Sequence, residues 1–234
     1  MNPSDAARKV DIGLFGKLPA RGDFVQLGLP GSFVRPWDAW LQRVMAASQG
    51  RMGEDWLPAF LESPVWRFAL PGGLCGAGPV LGLLMPSVDR VGRYFPLTLA
   101  AVFPPGAQLP APAVADPWLA AADAAGRAAL DEATVPEEVA RHLPPLDAGA
   151  ERVTPQPGEW WTDGGPRVAE TRVVLTALPD AARFAAMLGE GAALGDGAAQ
   201  GDGVAQGDGV AEGDGVAQGD GVALGDGAAG QEEA

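Results

Sequence analysis

Apolar and polar positions along the chain change period several times, and each change marks an element. Residues 10–15 (VDIGLF) form a short apolar run stopped by Gly16 and Pro19, which predicts a strand feeding a loop. From Pro36 the period lengthens: Trp37, Trp40, Leu41, Val44 and Met45 share one face of a helix, and Asp38, Gln42 and Arg43 take the other. Pro36 suits the first helical position, Asp38 lies near the positive end of the helix dipole, and Gly50 can close the far end. Residues 54–61 predict a shorter second helix, limited by Pro58 and Pro64.

Further strands are predicted at 65–70, 80–85, 95–103 and 172–178, which gives about five strands with the first. The stretch 95–103 keeps Phe95, Leu97, Leu99, Ala101 and Phe103 on one parity, yet Ala100 and Val102 on the other are apolar too. Such a strand is covered on both faces and belongs inside the sheet. Asp116 followed by Pro117 reads as a cap and first turn, with Leu119, Ala122, Gly126 and Leu130 on one helical face running to about Glu132. A Pro-rich link follows from about Pro136 to Pro157, and Asp180 caps a last helix through Phe184, Met187 and Leu188, with Gly189 just beyond. This order predicts an α/β fold: a three-layer sandwich with a mixed central sheet and helices on both faces, in one domain over residues 1–188.

Residues 189–234 form a second segment. From Gly195 to Gly230 they repeat a Gly-Asp-Gly hexapeptide, whose small apolar content is too little to offset an ordering cost of about 1–2 kcal/mol per residue. Disorder is the expectation for this tail; a calcium-organised repeat and a left-handed β-helix are the alternatives. Charge sharpens the division. The chain of 234 residues has a formal net charge of −14, but residues 189–234 hold ten acids and no Lys or Arg, so the body carries 20 acids against 16 bases. An acidic chain with no basic run argues against nucleic acid as a partner. One cysteine, Cys75, permits neither an internal disulfide nor a thiolate cluster. No stretch approaches the roughly 18–20 apolar residues of a membrane span, so a soluble cytoplasmic protein without membrane insertion is expected.

Candidate chemistry concentrates in two stretches, GKLPARGDF (16–24) and PSVDRVGRYFPL (86–97), which place Lys17, Arg21, Asp23, Asp89, Arg90 and Arg93 beside Gly and Pro. Lysine is scarce, two residues against fourteen arginines, which makes Lys17 conspicuous. These six residues suit a charged contact surface in which Arg offers forked donors to a carboxylate or phosphate. They equally suit internal pairing of the two aspartates with neighbouring arginines, and the two readings are compatible. Catalytic motifs fail. Gly16-Lys17 lacks the first Gly and the Ser or Thr of a phosphate loop. Ser87, Asp89 and His142 lack a nucleophile elbow. With a single His and a single Cys, a metal site would rest on carboxylates alone, and no cofactor is implied. Cys75 reads as an inert buried thiol, Trp37 and Trp40 as core, and of adjacent Trp160 and Trp161 only one can face inward on a strand, leaving the other for a contact surface or for cover by the last helix.

These same stretches carry a resemblance. GLFGKLPARGDFVQLGLPGSFVRPWDAWLQ, SPVWRFALPGG and LLMPSVDRVGRYFPLTLA, spanning residues 12–103 in order, resemble the TagF (ImpM) family of type VI secretion-associated proteins, with GEWWTDGG and ALPDAARFAAML similar to its closing segment. The resemblance implies a cytoplasmic, non-catalytic accessory protein with a three-layer α/β domain, acting as a post-translational repressor. It further implies a link to the forkhead-associated scaffold protein and, as a separate chain, a PppA-type phosphatase. It transfers no catalytic residues; Lys17, Arg21 and Asp23 fall in its first motif and Asp89, Arg90 and Arg93 in its second. The hexapeptide tail lies outside it. The alternative function is a hydrolase or nucleotide-binding protein anchored by Lys17 and Asp89.

Overall fold

The computed structural model describes residues 9–146, 152–153 and 157–191; the hexapeptide repeats lie outside the described residues. Its main sheet has seven strands: β1 (Asp11–Gly16), β2 (Val25–Leu27), β3 (Trp66–Leu70), β4 (Val80–Met85), β5 (Leu97–Val102), β8 (Gly158–Thr162) and β9 (Thr171–Leu175). Their order is β2-β1-β5-β4-β3-β8-β9. A two-stranded ladder, β6 (Leu109–Pro110) with β7 (Arg152–Val153), stands apart from it. The expected three layers are present, but the sheet is not mixed: every described pair is antiparallel. The physical reason is connectivity. Short links join β3 to β4 and β4 to β5 as direct neighbours, which only antiparallel pairs allow. The long helical crossover after β2 carries the chain to the other half of the sheet instead of to an adjacent parallel strand.

Helices cover both faces. On one, α1 (Gly31–Met52), α2 (Trp56–Glu62) and α5 (Ala181–Leu188) bury Phe33, Trp37, Trp40, Leu41 and Phe184 against Phe15, Phe68, Leu70 and Trp160. On the other, α3 (Pro112–Ala128) and α4 (Pro136–His142) bury Trp118, Leu119, Ala122 and Val139 against Leu14, Leu81, Leu83, Leu97 and Leu99. β4 and β5 are therefore buried along their whole length, as the two-sided apolar pattern of residues 95–103 predicts.

The tryptophans are structural. Indole N–H groups donate to Thr98 Oγ1 from Trp37 (2.8 Å), to the Pro179 carbonyl from Trp40 (2.7 Å), to Ser48 Oγ from Trp56 (2.9 Å), and to the Met187 carbonyl from Trp66 (3.0 Å). One of these acceptors, Pro179, lies just before α5 and another, Met187, in its last turn, so the aromatic core also fixes that helix. Trp160 faces this core, whereas Trp161 points to the opposite face, packs against the second core and lies under the Arg172 guanidinium at 4.7 Å. The last helix does not cover it.

Helix starts differ from expectation at both internal prolines. α1 begins at Gly31, because Phe33 and Val34 N–H groups already bond the Pro30 carbonyl at 3.0 Å each. Pro36 is thus interior, and the carbonyl it cannot serve belongs to Ser32 in the solvent-exposed first turn, where water can replace the bond. Gly53, not Gly50, closes this helix. Likewise α3 begins at Pro112 with Pro117 inside it, so Asp116 is no cap. α4 lies within the stretch expected as a Pro-rich link: Pro136 at its start, Glu137 and Glu138 in its first turn and Arg141 and His142 in its last complement the dipole. The final helix matches its reading, with Asp180 accepting the Arg183 N–H at 2.8 Å and Gly189 at φ 103°.

Candidate functional site

Both charged stretches leave the same end of the sheet. β1 ends at Gly16, where a Cβ would collide with the Pro96 carbonyl, so only glycine lets the chain pass this close to the start of β5. The segment then turns, with Arg21 N–H donating to the Leu18 carbonyl at 3.0 Å. After β4 the chain makes a tight reversal: Val88 pairs with Tyr94, Asp89 N–H bonds the Arg93 carbonyl at 3.0 Å, and Gly92, at φ 84°, closes back on the Asp89 carbonyl at 2.9 Å.

Asp89 is the hub of the junction. Its Oδ1 accepts the N–H groups of Val91 (3.0 Å) and Arg93 (2.9 Å), and its Oδ2 accepts Lys17 Nζ (2.9 Å) and Arg93 Nε (2.7 Å). Its side chain is 0% exposed and that of Lys17 only 8%. Burial alone would raise the Asp89 carboxyl. The Arg93 N–H, the Lys17 ammonium, the Arg93 guanidinium and the Val91 N–H outweigh it and hold the group well below the usual carboxylate range. Three further bonds join the turns: Ser87 Oγ to the Lys17 carbonyl (2.7 Å), Arg90 N–H to the Arg21 carbonyl (2.9 Å), and Arg93 Nη2 to the Gly22 carbonyl. Lys17 Nζ also sits 5.2 Å from the centre of the Phe24 ring, which packs on Phe15 and Phe95.

The six charged residues therefore divide by role. Lys17 and Asp89 face inward and neutralise one another. Arg21 and Arg93 have side chains 46% and 57% exposed, and Arg90 and Asp23 are exposed as well. Arg21 reaches Glu137 of α4 at 3.4 Å, and Asp23 Oδ1 accepts the Phe24 N–H at 2.9 Å. Sequence reasoning missed two residues of the same turns, Phe24 (44% exposed) and Val91 (65% exposed). The available signal was an apolar side chain at a turn tip, Val91 between Arg90 and Gly92, where no core can shelter it.

Other chemistry finds little support in the geometry. The Ser87 hydroxyl is buried and committed to the Lys17 carbonyl. Cys75 is buried, and desolvation pushes its thiol up to about 12. Among the described residues no group of three or more His, Cys, Asp or Glu could hold a metal ion, and no helix is long and apolar enough to cross a membrane. A groove of about 550 Å³ beside β8 and β9 is lined by Arg67, Trp161 and Arg172, and one of about 400 Å³ by Ser32, Cys75 and Val102; none of the six charged residues lines either.

Comparison with known proteins gives a consistent result. Residues 13–146 match the family described as TagF N-terminal domain, type VI secretion system-associated. The crystal structure of PA0076 from Pseudomonas aeruginosa PAO1 is similar to this chain with a TM-score of 0.66 and 37% sequence identity, covering 76% of this chain and 93% of that one. No curated protein matches.

Proposed function

Because this chain belongs to the TagF family of type VI secretion-associated proteins, we propose that it is a non-catalytic accessory protein of that system that docks an apparatus component through its two joined turns. Docking removes the component from the pool free for assembly, which makes the protein a post-translational repressor acting in the cytoplasm. The forkhead-associated scaffold is the partner of first choice. The observation that carries this reading is the buried Lys17–Asp89 pair, braced by the more exposed Arg93, which holds two turns 72 residues apart as one exposed patch. A fixed patch needs no ordering on binding, so its contacts are not offset by lost backbone entropy.

The hydrolase or nucleotide-binding reading has weaker support, since its anchors Lys17 and Asp89 are enclosed and occupied by each other. Arg93 braces the junction, so the test of docking uses Arg21→Glu with Arg90→Glu. Expected are an unchanged circular dichroism spectrum, loss of co-purification with the scaffold protein, and secretion that is no longer repressed. Unchanged co-purification refutes the proposal.

A further inference from the structure

The patch also carries information about the chemistry of its partner. Its three exposed guanidinium groups are not equivalent. Arg93 is engaged by Asp89 and by the Gly22 carbonyl, and Arg21 by Glu137. Arg90 has no carboxylate within 4.0 Å among the described residues, although its backbone N–H is pinned to the Arg21 carbonyl. One whole guanidinium fork is therefore presented from a fixed backbone. Beside it, at the tip of the same turn, stands Val91 at 65% exposure, and the facing turn adds Phe24 at 44%.

Resting on the docking reading above, we infer that the patch recognises an acidic protein surface that places one carboxylate in the Arg90 fork and an apolar side chain against Val91 and Phe24. A single open fork matches a single planar carboxylate bidentately. Nearby Asp23 and Glu137 leave the surface with little net positive charge, which suits a carboxylate better than a doubly charged phosphate. Val91, next to Arg90 on the same turn, and Phe24, on the turn bonded to it, supply the exposed apolar surface from which an interface centre is built.

The test measures binding of the full chain and its variants to the purified forkhead-associated scaffold, with and without phosphatase treatment of that scaffold. Arg90→Met removes the fork and is expected to weaken binding about tenfold to a hundredfold, the range of one charge-assisted hydrogen-bonded pair. Arg90→Lys keeps the charge without the fork and recovers only part of the loss. Val91→Ser, at an exposed tip, weakens binding about tenfold with the fold intact. Loss in Val91→Ser with full binding in Arg90→Met overturns the acidic-partner inference while docking at this patch stands. Full binding in both variants overturns the docking reading itself. Binding that disappears on phosphatase treatment assigns the fork to a phosphate and also overturns the inference.

Discussion

Replacing Gly82 with alanine is a sharp test of how the aromatic core is packed. Gly82 lies in β4 opposite Phe68 of β3 and Ala100 of β5, on the face covered by α1. A Cβ there would stand 2.6 Å from Phe68 Cζ and 2.7 Å from the Leu99 carbonyl oxygen, about 1 Å inside the normal carbon contact distance. The Phe68 ring cannot swing away freely, because Trp37 at 4.8 Å and Trp160 at 5.1 Å hold it. Two effects compete. Restricting the unfolded chain favours alanine by about 0.4–1 kcal/mol, and overpacking a dense core costs about 1–3 kcal/mol. A net loss of about 1–2 kcal/mol is expected, and each kcal/mol corresponds to about 2–4 °C in Tm for a chain of this size. Urea titration gives the free energy, and near-ultraviolet circular dichroism reports the displaced tryptophans. In Phe68→Leu the space exists, so adding Gly82→Ala costs less than it does in the parent, with a coupling above about 0.5 kcal/mol. A Gly82→Ala protein as stable as the parent, with an unchanged near-ultraviolet spectrum, would refute this account of the core.

The remaining predictions concern the junction and the buried thiol. Asp89 has a folded value held below its ordinary 3.8, so its contribution to stability is complete above about pH 4 and is lost as pH falls toward the folded value. The stability gap between the parent and Asp89→Asn is therefore constant at neutral pH and narrows below about pH 4; a gap that widens on acidification contradicts the assignment. Cys75, raised to about 12, stays unreactive toward a disulfide reagent at pH 8 in the native protein and reacts when urea unfolds it. Rapid native labelling would show that the thiol is accessible.

Elements whose signal is local were legible from the residues alone. The helical stripe of Trp37, Trp40, Leu41, Val44 and Met45 is buried as its spacing predicts, and Asp180 with Gly189 marks both ends of α5. Where two local rules competed, the tertiary setting decided. Pro36 and Pro117 each satisfy the rule for a first helical residue, yet the backbone bonds at Pro30 and Ala111 start those helices one turn earlier or more. α4 was hidden because three prolines nearby read as a link, although its end charges already followed the dipole. β2 has no sequence signal because a three-residue strand has no period, and β8, which follows a Pro-rich stretch, enters only as the strand on which Trp160 and Trp161 would face opposite ways. The short links between β3, β4 and β5 already favour antiparallel neighbours, but that β1 lies beside β5 and β8 beside β3 depends on which distant segments pair, and no local pattern holds that information.

The site divides in the same way. Clustering of charge beside Gly and Pro marked both turns, and Ser87, read only as a failed nucleophile, joins them. Which charges turn inward was not legible: Lys17 and Asp89 are enclosed because β1, β4 and β5 bring them together, a property of the assembled sheet. Phe24 and Val91 drew no notice since apolar residues default to the core in any sequence reading.

The tie between Lys17 and Asp89 has a consequence for the life of the chain. One turn of the charged patch emerges from the ribosome 72 residues before the other, and the two meet only once β1, β5 and β4 are assembled side by side. Nascent or truncated copies that lack either turn consequently cannot form the Lys17–Asp89 tie, so the joined patch exists only in the finished fold.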